Sequence, residues 1–287
     1  MEKLIFRNSK NETVELGDKT PFILKHITGA GGIETDVQMQ KSPYQDGKTY
    51  IDSVINERLI SLNVVLISES EEERFQLRHQ ILRVFNPKLG KGTLTYQHDG
   101  GEKEVEVVVK TSPTFKEDNE LPEEQLETLI HLIAPLPFWL DTYVESKEIA
   151  TWNGGLKFPL VLSSGFATKG SPEIVIKNEG DVKTPVIVEF SGPATNPKIE
   201  NKTTNEFIKV NKSILAGEKL IVSTKFGNKI VEIEDSLGNR TNAFNWIDLN
   251  STFFQLVPGT NVIKCDSDEG TNEAKISIQW RNRYIGI

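Results

Sequence analysis

The chain has 287 residues, a formal net charge of −8, 37% hydrophobic and 26% charged residues, an ordinary soluble composition with room for about two domains, each with a sizeable core. Its single cysteine excludes an intrachain disulfide, and no run approaches the roughly 18 apolar residues of a membrane span. Residues 1–140 carry 16 Lys and Arg against 23 Asp and Glu, whereas residues 141–287 carry 17 against 18, a balance that argues against affinity built on neutralising phosphates; it reads as an ordinary acidic surface and is also compatible with one that nucleic acid slides past.

The opening MEKLIFRNSKNETVEL carries charge where a secretory signal needs an apolar stretch, so retention in a cytoplasm is expected. Its two short apolar stretches around a polar Asn8-to-Asn11 turn read as a β-hairpin. Next comes Thr28-Gly-Ala-Gly-Gly32, which lacks the spacing that cradles phosphate and reads as a plain loop or bulge. A polar connection through SPYQDGKTY, with a turn at Asp46-Gly47, leads to the strand-like LISLNVVLIS.

One segment predicts a helix. Ser70 and Glu73 have capping-box spacing, and Glu71, Glu72 and Glu73 suit the positive end of the helix dipole. Leu77, Ile81, Val84 and Phe85 share one face, and Asn86-Pro87 stops the run. GTLTYQHDGGEKEVEVVVK then predicts a hairpin around Asp99-Gly100-Gly101, with Val105, Val107 and Val109 on one face of its second arm.

Pro135 and Pro137 in APLPFWLD interrupt regular structure, which places a boundary between residues 1–140 and 141–287 with Phe138 and Trp139 wedged between the halves. The second half offers the strands PLVL, EIVI, PVIVEF, EFIKV, EKLIV, KIVEIE, FFQLV, NVIKC and AKISIQW. Many short strands with recurrent turns and no alternating helices imply an antiparallel sandwich or jelly roll. Val257-Pro-Gly-Thr-Asn261 punctuates a hairpin. In the closing run Ala274, Ile276, Ile278 and Trp280 alternate with polar residues, so the chain is expected to stay structured to its last residue. Cys265 reads as a small buried strand residue.

Catalytic chemistry is sparse. His26, His79, His98 and His131 lack metal-type spacing, and CxxC, HExxH, GxSxG and phosphate-loop motifs are missing from the sequence. Glu232 and Glu234 sit at alternate strand positions, as on a solvated face, although counting carboxylates does not exclude a glycosidase pair. Among the aromatics, Trp280 completes an apolar alternation and reads as core, whereas Trp152 in TWNGGLKF stands in a Gly-rich context and is the candidate exposed, sugar-stacking residue. Five Asn-x-Ser/Thr sequons, at Asn11, Asn201, Asn211, Asn239 and Asn250, read as Asn-rich loops.

The PLPFWLD junction, WNGGLKFP, VKTPVIVEFSGPATNPKIENKTTNEFIKVN, GEKLIVSTKFGNK, AFNWIDLNSTFFQLVPGTNVI and WRNRYIGI, preceded by SPYQDGKTY, the Arg58 strand and a helix ending in FNPKLGKGTLTY, follow an order that resembles the distal tail proteins of long, non-contractile-tailed bacteriophages and prophages of Gram-positive hosts. The resemblance implies a mainly β fold with one main helix. Residues 1–140 would form a ring-forming β domain packed with the helix, and residues 141–287 a peripheral galectin-like antiparallel β-sandwich. It further implies a structural tail-tip, or baseplate, adaptor at the virion tail tip, synthesised in the bacterial host cytoplasm. Six copies would form a homo-hexamer between the major tail tube protein and the tail-associated hub protein, with a receptor-binding protein as a further neighbour and DNA passing through without specific binding. No enzyme activity, cofactor, metal or membrane insertion is implied. Sugar-binding galectins use a His/Asn/Arg constellation with a stacking Trp, and residues 141–287 contain no histidine. The alternative is a glycan-binding β-sandwich protein for host cell-wall recognition, with Trp152 as its stacking residue.

Overall fold

A computed structural model describes residues 2–116, 122, 125–149, 173–269 and 275–287. Contacts divide it into two compact units, Met1–Thr142 with Tyr284–Ile287, and Tyr143–Arg283. The last four residues thus group with the first unit.

In chain order the first unit contains β1 (Lys3–Arg7), β2 (Thr13–Leu16), β3 (Phe22–Thr28), β4 (Thr35–Gln40), β5 (Thr49–Ile55), β6 (Arg58–Ile67), α1 (Glu71–Val84), β7 (Lys91–His98), β8 (Gly101–Lys116), β9 (Gln125–Ala134) and β10 (Trp139–Asp141). Its main sheet runs β2-β1-β7-β8-β9-β6-β3, with antiparallel neighbours throughout. The β1–β2 hairpin follows the sequence pattern. Asn8, though buried, closes its turn by accepting from the backbone N–H of Lys10 at 2.9 Å and of Glu12 at 3.1 Å. The β7–β8 hairpin pairs His98 with Gly101 across the expected turn.

Alternation decides which face of this sheet is buried. Ile60, Leu62, Val64 and Leu66 of β6 stand opposite Leu132, Ile130, Thr128 and Leu126 of β9, and all eight are buried, so one face of the pair is continuous core. Helix α1 covers that core with Leu77, Ile81 and Val84. Phe85 stacks on Phe6 with ring centroids 4.3 Å apart, worth about 0.5–1.5 kcal/mol beyond area burial. The helix start is a variant of the expected capping box. Ser70 Oγ accepts from the Glu73 N–H at 3.2 Å, while the Glu73 carboxylate accepts from the N–H of Glu69, one residue before the cap. Asn86 ends the helix by capping a short 3₁₀ turn, Pro87–Leu89.

The second unit contains β11 (Glu145–Ile149), β12 (Glu173–Asn178), β13 (Val186–Ser191), β14 (Ala194–Thr195), β15 (Lys198–Asn201), β16 (Glu206–Lys209), β17 (Ser213–Ile214), β18 (Lys219–Ser223), β19 (Ile230–Glu234), β20 (Arg240–Asn242), β21 (Gly259–Asp266) and β22 (Lys275–Trp280). Two antiparallel sheets, β11-β22-β13-β18-β19-β20 and β12-β21-β15-β16, carry most of it. One core joins residues of both: Val188, Phe190, Val222, Ile278 and Trp280 from the first, Ile176, Ile199, Ile208, Ile263 and Cys265 from the second. This is a β-sandwich, and the chain as a whole is mainly β with one main helix.

Four sequence expectations are corrected. SPYQDGKTY is not a plain connection: it is the tip and outgoing leg of a separate hairpin, β4–β5. Trp139, expected at a junction, is a core residue of the first unit. FFQLV forms no strand, only a bridge from Leu256 to Thr184. Consequently Val257–Asn261 is a turn but not a hairpin, because β21 pairs with β12 and β15. The Asn261 side chain holds that turn, accepting from Val257 N–H at 3.0 Å and donating to Val257 O at 2.7 Å. PLVL and Ala274 lie outside the described residues.

Candidate assembly interface

The β4–β5 hairpin is a two-stranded sheet of its own. In its register Val37 faces Ser53 and Met39 faces Tyr50, while Asp36 faces Val54 and Gln38 faces Asp52. Directly opposed residues share a face, so one face carries Val37, Met39, Tyr50 and Ser53 and the other carries Asp36, Gln38, Asp52 and Val54. A register shift between Gln38 and Met39 leaves Ile51 at a bulge. Val37, Met39, Tyr50, Ile51 and Val54 are 44–60% exposed, and Tyr44 at the tip is fully so. A hairpin of two strands is marginal alone, and contiguous exposed apolar side chains mark a surface that meets a partner. Among the described residues both long edges of this arm are unpaired, each a template for another chain.

The base of the arm is closed from several sides. The Asn56 N–H donates to Glu34 O at 3.0 Å, joining the two legs. Below it lies Arg58, 1% exposed. Arg58 Nε donates to Pro137 O at 2.7 Å, Nη1 to the carbonyls of Gly29, Ala30 and Gly32 at 2.5, 3.0 and 3.2 Å, and Nη2 to Ile285 O. Burial pulls its guanidinium below its ordinary value, yet arginine stays charged in proteins. Among the described residues no carboxylate pairs with it, so carbonyl dipoles compensate the charge. Trp139 Nε1 donates to Ala30 O at 3.0 Å from the same side.

A second polar group anchors the residues after Arg283. Lys103 Nζ pairs with the buried Asp141 carboxylate and lies 3.7 Å from the Tyr284 ring centroid, while Tyr284 Oη donates to Asp141 at 3.4 Å. Burial opposes the Lys103 ammonium, but its bonds to Asp141 and Tyr284 outweigh that and raise its pKa. Burial likewise raises the Tyr284 phenol.

Among the described residues, those singled out for chemistry lie apart from one another or in ordinary structural contacts. Trp152 lies outside the described residues. His98 accepts from its own turn at Gly100 N–H, and His131 bonds Ser61 at 2.9 Å. Among the described residues no group of three or more His, Cys, Asp or Glu is arranged to hold a metal. Arg240 reaches both Glu234, at 2.8 Å, and Glu232, at 3.8 Å, which accounts for that acidic pair as a surface ion-pair cluster. Cys265 is fully buried, and burial pushes its thiol up to about 12, the inert end of cysteine chemistry. Trp280 and Phe254 are buried, whereas Phe244 and Trp246 are each 39% exposed. Lys212 Nζ sits 3.8 Å from the Trp246 ring centroid. Sequence reasoning missed the arm and the role of Arg58. The alternation in TDVQMQ and TYIDSVI signals the first, and a lone arginine opening an apolar strand signals the second.

Comparisons place this arrangement among known proteins. Residues 179–284 match the family of siphovirus-type tail components, C-terminal domain, and residues 9–126 match the phage tail protein RIFT-related domain. The Dit (gp 19.1) protein of phage SPP1 shares the fold across 98% of both chains, with TM-score 0.70 at 11% identity; its structure is described as a paradigm of the hub adsorption apparatus in Gram-positive infecting phages. Chains of the phage P2 baseplate in its activated conformation, solved with Ca and with Sr, match over 100% of both chains at TM-scores 0.55 and 0.54 and identities of 10% and 9%. No curated protein matches the chain. No helix among the described residues is long and apolar enough to cross a membrane. The two family matches cover most of the chain between them, and with this fold they identify it as a member of the siphovirus-type distal tail protein family, structural components of the phage tail.

Proposed function

We propose that the protein is a tail-tip adaptor in which six copies close a ring between the major tail tube protein and the tail-associated hub, with DNA passing through the lumen. The first unit forms the ring; the sandwich lies at its periphery, within reach of a receptor-binding protein. The observation that carries this reading is the β4–β5 arm, whose apolar face is exposed and whose edges are unpaired among the described residues. The occupant we assign to it is a second copy of this chain. A heterologous contact of that kind repeats from copy to copy and closes into a ring when the rotation allows. On the opposite face Asp36, Gln38 and Asp52 stand beside Val54, and its two carboxylates suit a lumen that repels phosphate instead of displacing its counterions. The similar protein of SPP1 is described as a paradigm of the hub adsorption apparatus, and the similar P2 chains lie in a baseplate, which supports a role in assembly.

Native mass spectrometry and negative-stain imaging of the chain, alone and with tail partners, test the proposal. Six-fold rings are expected. The double variant V37D/M39D should abolish them while leaving the thermal midpoint unchanged, because both side chains are exposed in the monomer. A wild-type chain that stays monomeric and fails to enter tails would overturn the reading. Host-glycan recognition, the alternative, rests on Trp152, and cell-wall binding lost in W152A would favour it.

A further inference from the structure

We propose that Arg58 is the positioning residue that fixes the direction of the β4–β5 arm, and that residues 284–287 complete the clamp in which it works. Residues 29–32 lead into β4 and Arg58 follows β5, so the bonds from Nη1 to the carbonyls of Gly29, Ala30 and Gly32 tie the incoming leg to the outgoing one. The remaining bonds, to Pro137 O and Ile285 O, fasten both legs to the body of the unit. Among the described residues the arm itself makes no comparable anchorage, since all of its strand residues but Ile55 are exposed. Its direction therefore depends on the clamp.

The geometry demands this residue and these neighbours. A planar guanidinium offers five N–H donors in a fixed fork, whereas an ammonium offers three donors from one point and cannot reach carbonyls on several sides. Gly29 has φ +83°, and a Cβ there would stand 1.9 Å from Leu59 O. A Cβ on Gly286 would stand 2.5 Å from Gly31 O, so residues 284–287 lie against the glycine loop at a distance only glycine permits. Lys103, Asp141 and Tyr284 hold that segment from its other end. The significance of the clamp rests on the assembly reading: an arm held in one direction before it meets a neighbour loses less conformational freedom on docking.

Spin labels at Tyr44→Cys, on the arm tip, and Lys10→Cys, on the body, report the direction by pulsed electron resonance in dilute, monomeric protein; the buried Cys265 is not expected to label. Wild type should give one narrow distance distribution. In R58M and in R58K the distribution should become about twofold broader, as for a segment released from its hydrogen bonds, at temperatures where circular dichroism shows the first unit folded. A residue with a merely structural role would lower the midpoint without broadening the distribution. G286V attacks the clamp from its other side, should broaden the distribution equally, and decides the matter if R58M fails to fold. A folded R58K or G286V with the wild-type distribution would overturn the proposal. The measurement uses monomer, so it stands or falls separately from ring formation: wild type that never self-associates would sink the assembly reading and leave the clamp result intact.

Discussion

Replacing Trp280 with alanine should lower the stability of the second unit by several kcal/mol and leave the first unaffected. Trp280 is 4% exposed on β22, between β11 and β13, and belongs to the core that joins the two sheets. A large aromatic side chain buries about 150–250 Å², which at ~25 cal/mol per Å² corresponds to about 4–6 kcal/mol. Compactness of the denatured chain removes about a quarter of that, leaving ~3–5 kcal/mol, the range found when buried aromatic side chains are cut to alanine. The unit spans Tyr143–Arg283; with about 2.1 cal/mol/K of unfolding entropy per residue, a loss of ~4 kcal/mol moves its midpoint down by about 13 °C. Calorimetry of the full chain reads the shift. Trp246 remains as a fluorescent reporter of the second unit and Trp139 of the first, so the two transitions can be assigned. A midpoint within about 2 °C of wild type would refute the burial argument and return Trp280 to the pool of exposed stacking residues.

Lys103 should make the first unit sensitive to alkali. Its pKa stands above the ordinary 10.5, so the folded state holds the proton more tightly than the unfolded chain. That stabilisation is whole below the ordinary value and is lost as pH rises through the raised one. K103M should therefore melt lower at neutral pH, because Asp141 loses a buried partner, but show a shallower decline on the alkaline side; an unchanged alkaline slope would refute the coupling. Cys265, with its thiol raised to about 12 and fully buried, should resist thiol reagents in native protein and react promptly once denatured. Rapid labelling under native conditions would show that the second core opens.

Much of the fold was legible because buried strands and helices announce themselves by period. β6, β22 and the Val105–Val109 stretch of β8 carry apolar residues at alternate positions, and each lies in a strand with that face inside. Helix α1 was legible twice over, from Leu77, Ile81, Val84 and Phe85 and from the caps at Ser70 and Asn86. FFQLV misled for a physical reason. An apolar run shows that side chains go inside, not that the backbone pairs: Phe254 and Leu256 are buried, but the turn held by Asn261 leaves only one bridge, at Thr184. Trp139 misled because it stands just before the end of the first unit's main stretch, at Thr142, where an aromatic looks like junction packing, while the ring itself belongs to the first unit's core.

The candidate interface was the least legible part. The arm's side chains are exposed, and its apolar alternation is short and broken: Val37 and Met39 alternate with Asp36 and Gln38, but the register shift after Gln38 leaves Ile51 next to Tyr50 and puts Val54 on the acidic face. The role of Arg58 escaped notice for a different reason. Its partners are main-chain carbonyls of Gly29, Ala30, Gly32, Pro137 and Ile285, and a carbonyl carries no residue identity that could be read as a matching acid. What the sequence does record is the space such a cage requires, in the glycines at 29 and 286, where an added Cβ would strike backbone. Glycines far apart in a chain, with a lone arginine opening an apolar strand, are thus the sequence trace of a buried cation held by backbone, and here that cation sits at the root of the arm.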